Sequence, residues 1–407
     1  MNDNALRVAV VSVHGCPLAR LGERDTGGMN VYLLQLAKEL GGRGIHVDVF
    51  TRYHDPADPQ VVELGPNARV VHIKAGDWDE VKKNIYPLLP EFVDCLVRFQ
   101  RSQNLSYDLI HSHYWLSGTA VSLLDQYFRL PHIASFHTLG EAKVRAVYGE
   151  KESEVRISSE KAILERADQV IALSYQDRKN MIEYYDAPPQ RIQVIPGGID
   201  MESFIPMDKD RARAELDITD PKILLYVGRV QPLKGPDLLL KAIACLEEDE
   251  RQGLRLLIVG GDKEGDSALP HLQELARDLG ISDMVSFLGI VDQKLLSKFY
   301  SAADVCIVPS HYESFGLVAA EALACGTPVV ASRVGGLMET VKDGVNGYLV
   351  SWRCPEPFAE RIELLLNNEY LRRSLGAQAR ASVERLSWPL IADQVETLYS
   401  SVAQVGN

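Results

Sequence analysis

The feature that most constrains this chain is a repeated exchange between short, β-branched apolar runs and longer amphipathic stretches. The runs are VAVVSV, VDVF, RVVHI, DLIHSH, HIASFH, QVIALS and IQVIP in the first half, then ILLYVG, LRLLIVGG, VSFLG, VCIVPS and PVVAS. A strand that is apolar at every position has both faces covered, and helical segments between such strands supply the cover. The pattern predicts doubly wound α/β domains on parallel sheets. It breaks at residues 196–210, PGGIDMESFIPMDKD, where glycine, proline and charge replace it. A hinge is expected there, between one Rossmann-like domain at 1–200 and a second at 201–385. The remaining 386–407 segment, with LSWPLIADQVETLYSSV, reads as a helix that packs back on the first domain. Ligands of such sheets lie beyond the carboxyl ends of the strands, so the cleft between the domains is the expected site.

Composition narrows the partners. At 407 residues, 46% hydrophobic and 24% charged, the chain is an ordered protein able to bury more than one core. Its formal net charge of −13 repels nucleic acid and anionic membranes at long range, so any anion it holds must meet a local cluster of cations. Cys16, Cys95, Cys245, Cys306, Cys325 and Cys354 form no C-x-x-C pair and read as reduced core thiols, neither zinc ligands nor disulfides. The amino terminus lacks a signal-peptide pattern, and no apolar run approaches the roughly 20 residues that cross a bilayer. The expected location is the cytoplasm.

Three stretches carry candidate chemistry. In SVHGCPLARLGERDTGGMNVYLLQL, the pair Gly27-Gly28 precedes an apolar-periodic helix. Glycines at a helix start let a phosphate approach the free N–H groups and the positive end of the dipole, although a tight turn of positive φ explains them equally well. In LLYVGRVQPLKGPDLLL, Arg229 and Lys234 flank a loop beyond a strand end and could grip a diphosphate; solvated surface charge is the plain alternative. In ESFGLVAAEALA, Glu313 stands before a helix start and Glu321 lies within an apolar turn. Counted along a helix, Glu321 falls about 12 Å below Glu313 and roughly 80° round from it. Dipole complementarity accounts for Glu313 alone, but an unpartnered carboxylate at Glu321 would be costly.

These motifs resemble a known family. ESFGLVAAE, with GR…KG upstream, GGMN near the amino terminus and SFHTLG at 135–140, is similar to the retaining GT-B glycosyltransferases of the glycogen-synthase-like kind, nearly end to end. Within that group the sequence most resembles the inositol-phosphate N-acetylglucosaminyltransferases of mycothiol synthesis, and next the sucrose-phosphate synthases. The glycine of HTLGEAK and the IYPLLPEFVD segment lean to the latter, whereas VGRVQPLKGP and ESFGLVAAEALACGTPV lean to the former.

The resemblance implies a UDP-sugar donor, UDP-GlcNAc or UDP-glucose, and a phosphorylated acceptor. Arg229 and Lys234 would hold the diphosphate, met by Gly28 and Arg20 from the first domain. Glu313 would contact the transferred sugar and Glu321 the ribose, Phe315, Gly316 and Leu317 would belong to the donor-binding set, and His137 would meet the sugar near the reacting carbon. His14, Asp25, Thr26, Asn30, Lys82, Tyr114, Thr138 and Arg156 would surround the acceptor and its phosphate; solvated helix charge is the plain reading of Lys82 and Arg156. No tightly bound cofactor and no catalytic metal are expected, with magnesium admitted as a companion of the diphosphate and a homodimer admitted as the assembly. Two other readings are an inactive sugar-nucleotide-binding protein, disfavoured by the complete residue set, and a peripheral lipid glycosyltransferase, disfavoured by the acidic charge and the lack of a basic amphipathic helix.

Overall fold

The computed structural model describes residues 5–19, 26–261, 268–351 and 353–405, so Arg20 and Asp25 lie outside the described residues. The first half forms a sheet of β1 (Arg7–Val11), β2 (His46–Arg52), β3 (Val61–Gly65), β4 (Ala68–Ile73), β5 (Leu109–His113), β6 (His132–Ser135), β7 (Gln169–Ala172) and β8 (Ile192–Val194). The second half forms another, of β9 (Lys222–Val227), β10 (Leu254–Val259), β11 (Val285–Gly289), β12 (Val305–Val308), β13 (Val329–Ser332) and β14 (Gly347–Val350). Every apolar run in the sequence carries one of these strands. Pairing is parallel throughout except between β3 and β4. Both are doubly wound Rossmann-like sheets, as the alternating pattern predicts.

Strand order decides where a ligand can sit. It runs β3-β4-β2-β1-β5-β6-β7-β8 in the first sheet and β11-β10-β9-β12-β13-β14 in the second. The winding direction therefore reverses between β1 and β5, and again between β9 and β12. At such a reversal the flanking loops diverge to opposite faces and leave a crevice beyond the strand ends. The two crevices face each other across one cleft.

Chain crossings hold the halves together. Near residues 196–200 the backbone pairs with the segment entering the last helix: Ile199 N–H donates to the Leu386 carbonyl at 2.7 Å, and Trp388 N–H to the Ile199 carbonyl at 3.3 Å. The closing helix begins at Trp388 and lies on the helix Gly28–Gly42 of the first half. Arg43 there pairs with Asp393 and, at 3.2 Å, with Glu396. Tyr399 Oη meets His111 Nδ1 at 2.7 Å. No described helix is long and apolar enough to cross a membrane.

The cysteine expectation needs one correction. Cys16, Cys306 and Cys325 are buried thiols, but Cys95 is half-buried and Cys245 and Cys354 are exposed. The last two flank helix termini, following Pro236–Ala244 and preceding Pro355–Asn367, where the chain returns to the surface.

Candidate active site

The cleft encloses about 960 Å³ counting its open mouth, and both halves line it. His14 comes from the loop after β1, Thr26, Gly28 and Asn30 from the start of the following helix, Tyr114 from the end of β5, and His137 and Thr138 from the loop after β6. Lys82 reaches in from a short turn. The second half contributes Arg229 and Lys234 after β9, and Glu313, Phe315, Gly316 and Leu317 after β12. Residues scattered over most of the chain thus converge at the carboxyl ends of the strands, and those that follow β1, β5, β9 and β12 sit at the two topological reversals. Glu321 and Arg156 do not line the cleft; they stand behind its wall.

On the second-half side, Lys234 Nζ lies 2.6 Å from Glu313 Oε2, which Ser310 Oγ also approaches at 3.3 Å. Arg229 is exposed. The helix containing Glu321 runs Leu317–Ala324, and its amino-terminal cap, Gly316, has φ 88°. That left-handed residue suits glycine. It also breaks the assumed helical relation between the two glutamates: Glu313 lies in the preceding loop, its carbonyl taken by Gly336 N–H at 3.0 Å. Glu321 is buried and accepts a 2.7 Å bond from Tyr300 Oη. Burial pushes its carboxyl up to about 8.

The glycine pair does not serve a turn of positive φ. Gly27 has φ 171°, extended backbone open to any residue, and Gly28 opens the helix. A Cβ on Gly27 would meet nothing within 4 Å, and one on Gly28 only Leu317 Cδ2 at 3.8 Å, across the cleft. Space is kept free on the cleft side. Asn30 acts as the cap of this helix: its Oδ1 accepts from Gly27 N–H at 3.0 Å and its Nδ2 donates to the Cys16 carbonyl at 2.8 Å.

The opposite wall is built on Tyr114. Two cations stand over its ring, Lys82 Nζ at 4.2 Å from the centroid and the Arg156 guanidinium at 4.9 Å. Its backbone, φ 74° and ψ 158°, is a region that side chains rarely occupy. His137 next door also has positive φ, 60°. Strain of this kind persists where surrounding structure enforces it, and here it flanks the cleft. Arg156 is buried and committed: Nε to Glu160 at 2.8 Å, Nη1 to Glu152 at 2.8 Å, and Nη2 to Thr138 O at 3.0 Å and Oγ1 at 3.1 Å. The cation meets the cleft through Thr138 and Tyr114.

The histidines here are neutral. His137 Nε2 meets His113 Nδ1 at 2.8 Å, and burial drives the His137 imidazole down to about 3. Burial likewise holds His14 well below its ordinary value, with Lys82, Arg156 and His137 adding to the effect. Activity is therefore expected to show no inflection near the ordinary imidazole value of 6.5. A kcat/KM–pH profile checks this, and His137→Gln should leave the shape of that profile unaltered.

Further residues were not legible as functional in the sequence. Arg52, buried at the end of β2, bonds the carbonyls of Ala75 at 3.3 Å, Trp78 at 3.4 Å and Glu80 at 3.2 Å, and that of Asp77, fixing the chain that leads to Lys82. Tyr312 bridges the two halves. Its hydroxyl donates to Asp177 Oδ1 at 3.1 Å and accepts from Ser314 Oγ at 2.9 Å and Leu139 N–H at 3.3 Å.

Burial raises the Asp177 carboxyl to about 8. A raised carboxyl keeps its proton in the folded state while the unfolded chain releases it, so its stabilisation is full below the unfolded value of 3.8 and declines as pH rises toward 8. Asp177→Asn is expected to remove a decline of at most about 1.4 kcal/mol per pH unit. Urea midpoints of both proteins across that window measure the difference; parallel pH profiles would contradict it.

Comparison with known proteins follows the same outline. The model described as Glycosyl transferases group 1 matches residues 208–382, and that described as Glycosyltransferase Family 4 matches residues 26–203. A D-inositol 3-phosphate glycosyltransferase of Geodermatophilus obscurus is 41% identical over 407 residues, covering 98% of this chain and 90% of that protein. The D-inositol 3-phosphate glycosyltransferase 2 of Catenulispora acidiphila is 41% identical, covering 97% and 94%. Among solved structures, a sucrose-phosphate synthase from Thermosynechococcus elongatus matches with a TM-score of 0.91 at 37% identity, covering 98% of this chain and 100% of that one. HepE of Anabaena, in complex with UDP-glucose, matches with a TM-score of 0.77 at 21% identity, covering 97% and 100%, a likeness of fold alone.

Proposed function

The chain belongs to the glycosyltransferases of GT-B architecture, and from that premise we propose a retaining enzyme that moves a sugar from a UDP-sugar to a hydroxyl of a phosphorylated acceptor. The observation that carries this reading is the 2.6 Å Lys234–Glu313 pair, lining the same cleft as Gly28 and His137 of the other half. Lys234 and Arg229 take the diphosphate. Glu313, already holding Lys234, retains Oε1 for a sugar hydroxyl. Gly28 leaves the approach open, and Glu321 serves the ribose from behind the wall.

The reaction in this scheme proceeds on one face of the sugar. The acceptor oxygen bonds to the anomeric carbon as the bond to the diphosphate breaks, and the acceptor proton passes to a departing phosphate oxygen. Negative charge grows on the diphosphate, where Lys234, Arg229 and the amides of the Leu317–Ala324 helix stabilise it. Those cations neutralise the diphosphate without a catalytic metal.

The acceptor phosphate would meet Lys82 and Thr138, with Arg156 behind them. Inositol phosphate is the favoured acceptor, following the names of the relatives at 41% identity; fructose 6-phosphate is the second reading, favoured by the 0.91 match to a sucrose-phosphate synthase. Nucleoside diphosphate release measured with UDP-GlcNAc, UDP-glucose and GDP-mannose, with NMR of the product's anomeric centre, tests donor and stereochemistry together. Preference for GDP-mannose, or an inverted product, would overturn this reading.

A further inference from the structure

We propose that Cys16, His54, Asp58 and His72 form a zinc site that anchors the edge of the cleft from the first domain. Cys16 follows β1, His54 and Asp58 follow β2, and His72 lies in β4, which are neighbours in the sheet order β4-β2-β1. Ligating atoms of Cys16, His54 and His72 all lie within 4.8 Å of one another. Cys16 Sγ is 3.5 Å from His72 Nε2. Tetrahedral zinc, with bonds of about 2.3 Å to sulfur and about 2.1 Å to nitrogen, sets those atoms about 3.6 Å apart.

Asp58 stands beside this trio, in contact with both histidines, and would turn in as the fourth ligand. Its Oδ2 is 2.7 Å from His54 Nδ1 and 3.9 Å from His72 Nε2, and it accepts from Asp55 N–H at 3.1 Å; an ion with a ligand edge of roughly 3.3 Å would lengthen the first distance and shorten the second. The surroundings suit a metal. His72 Nδ1 lies 2.6 Å from the Pro59 carbonyl, an acceptor, so Nδ1 carries the proton and Nε2 presents its lone pair to the cluster. Ligating histidines commonly make this outer bond to a carbonyl or carboxylate. Leu18 N–H points at Cys16 Sγ at 3.4 Å, as a thiolate would require. One thiolate and one carboxylate balance a divalent ion, and thiolate with imidazole favours zinc. His54 and Asp58, with side chains 34% and 19% exposed, form the entry.

The ion would reach the active site through the backbone. The Cys16 carbonyl holds Asn30 Nδ2, and Asn30 caps the helix that begins at Gly28. The alternative is a hydrogen-bonded cluster without an ion.

The full chain, stripped with chelator, is titrated with zinc alone and, separately, with cobalt alone. About one zinc per chain and a thiolate-to-cobalt charge-transfer band are expected. Cys16→Ser should abolish the band, and His72→Gln should weaken zinc binding on the order of 100-fold. His54→Gln and Asp58→Asn, at the half-buried rim, should weaken it as well and cover the case in which the buried variants fail to fold. Cys325→Ser should bind as wild type does. Absence of the band in folded wild type, or equal zinc affinity in the wild type and the rim variants, would overturn the proposal.

Discussion

Replacing Lys234 by Ala is expected to lower kcat by about 10²- to 10³-fold while weakening UDP binding far less. The lysine and Glu313 stand 2.6 Å apart beside the cleft, so the ammonium is already positioned when the donor arrives. Positioning of this kind matters most where charge develops, and the diphosphate gains charge only as the glycosidic bond breaks. Glu313→Gln should reproduce part of the loss by releasing Lys234 and altering the contact to the sugar. Steady-state kinetics with direct UDP binding decide the matter. A raised donor KM at unchanged kcat would assign Lys234 to ground-state binding only.

Arg156→Ala is expected to cost about 3–5 kcal/mol of stability, because it leaves Glu160 buried without its cation. Glu160 is 0% exposed; it would keep Gly140 N–H at 2.9 Å and the Tyr185 hydroxyl, but no positive charge. The same change removes both Nη2 bonds to Thr138 and the cation beside the Tyr114 ring. Acceptor kcat/KM should therefore fall with stability, more steeply for a phosphorylated acceptor than for its dephosphorylated form. Urea unfolding and the two acceptor series measure both effects. An unchanged midpoint would show that Glu160 is not held by this arginine.

How much of this was legible depends on how local each cause is. Parallel strands buried on both faces write themselves as apolar runs, and twelve of the fourteen strands could be read that way. The two missed strands are edges: β3, VVELG, is half-exposed and antiparallel to β4, and β14, GYLV, is four residues long. The cleft residues were legible because loops at the carboxyl ends of strands carry short polar motifs amid apolar sequence. The relation of Glu313 to Glu321 was misjudged because Gly316, in a left-handed conformation, starts the helix later than the pattern suggests. Arg156 reads as surface charge on a helix, and only folding brings Glu152, Glu160, Thr138 and Tyr114 around it. Asp177 and Tyr312 are 135 positions apart and meet through domain packing, which no local pattern encodes. The Cys16, His54, Asp58 and His72 cluster escaped for a similar reason: its members come from β4 and from the loops after β1 and β2, and they lack the close spacing of a recognisable metal motif.

A phosphorylated acceptor held in this cleft is tested by one comparison: kcat/KM of the wild type for inositol phosphate and fructose 6-phosphate against inositol and fructose, with the preferred UDP-sugar. A charge-assisted hydrogen bond contributes about 1.5–3 kcal/mol, so the preferred phosphorylated acceptor should exceed its dephosphorylated form by about 10- to 150-fold. Lys82→Ala should shrink that ratio without altering UDP affinity. Equal use of the two forms by the wild type would contradict the account.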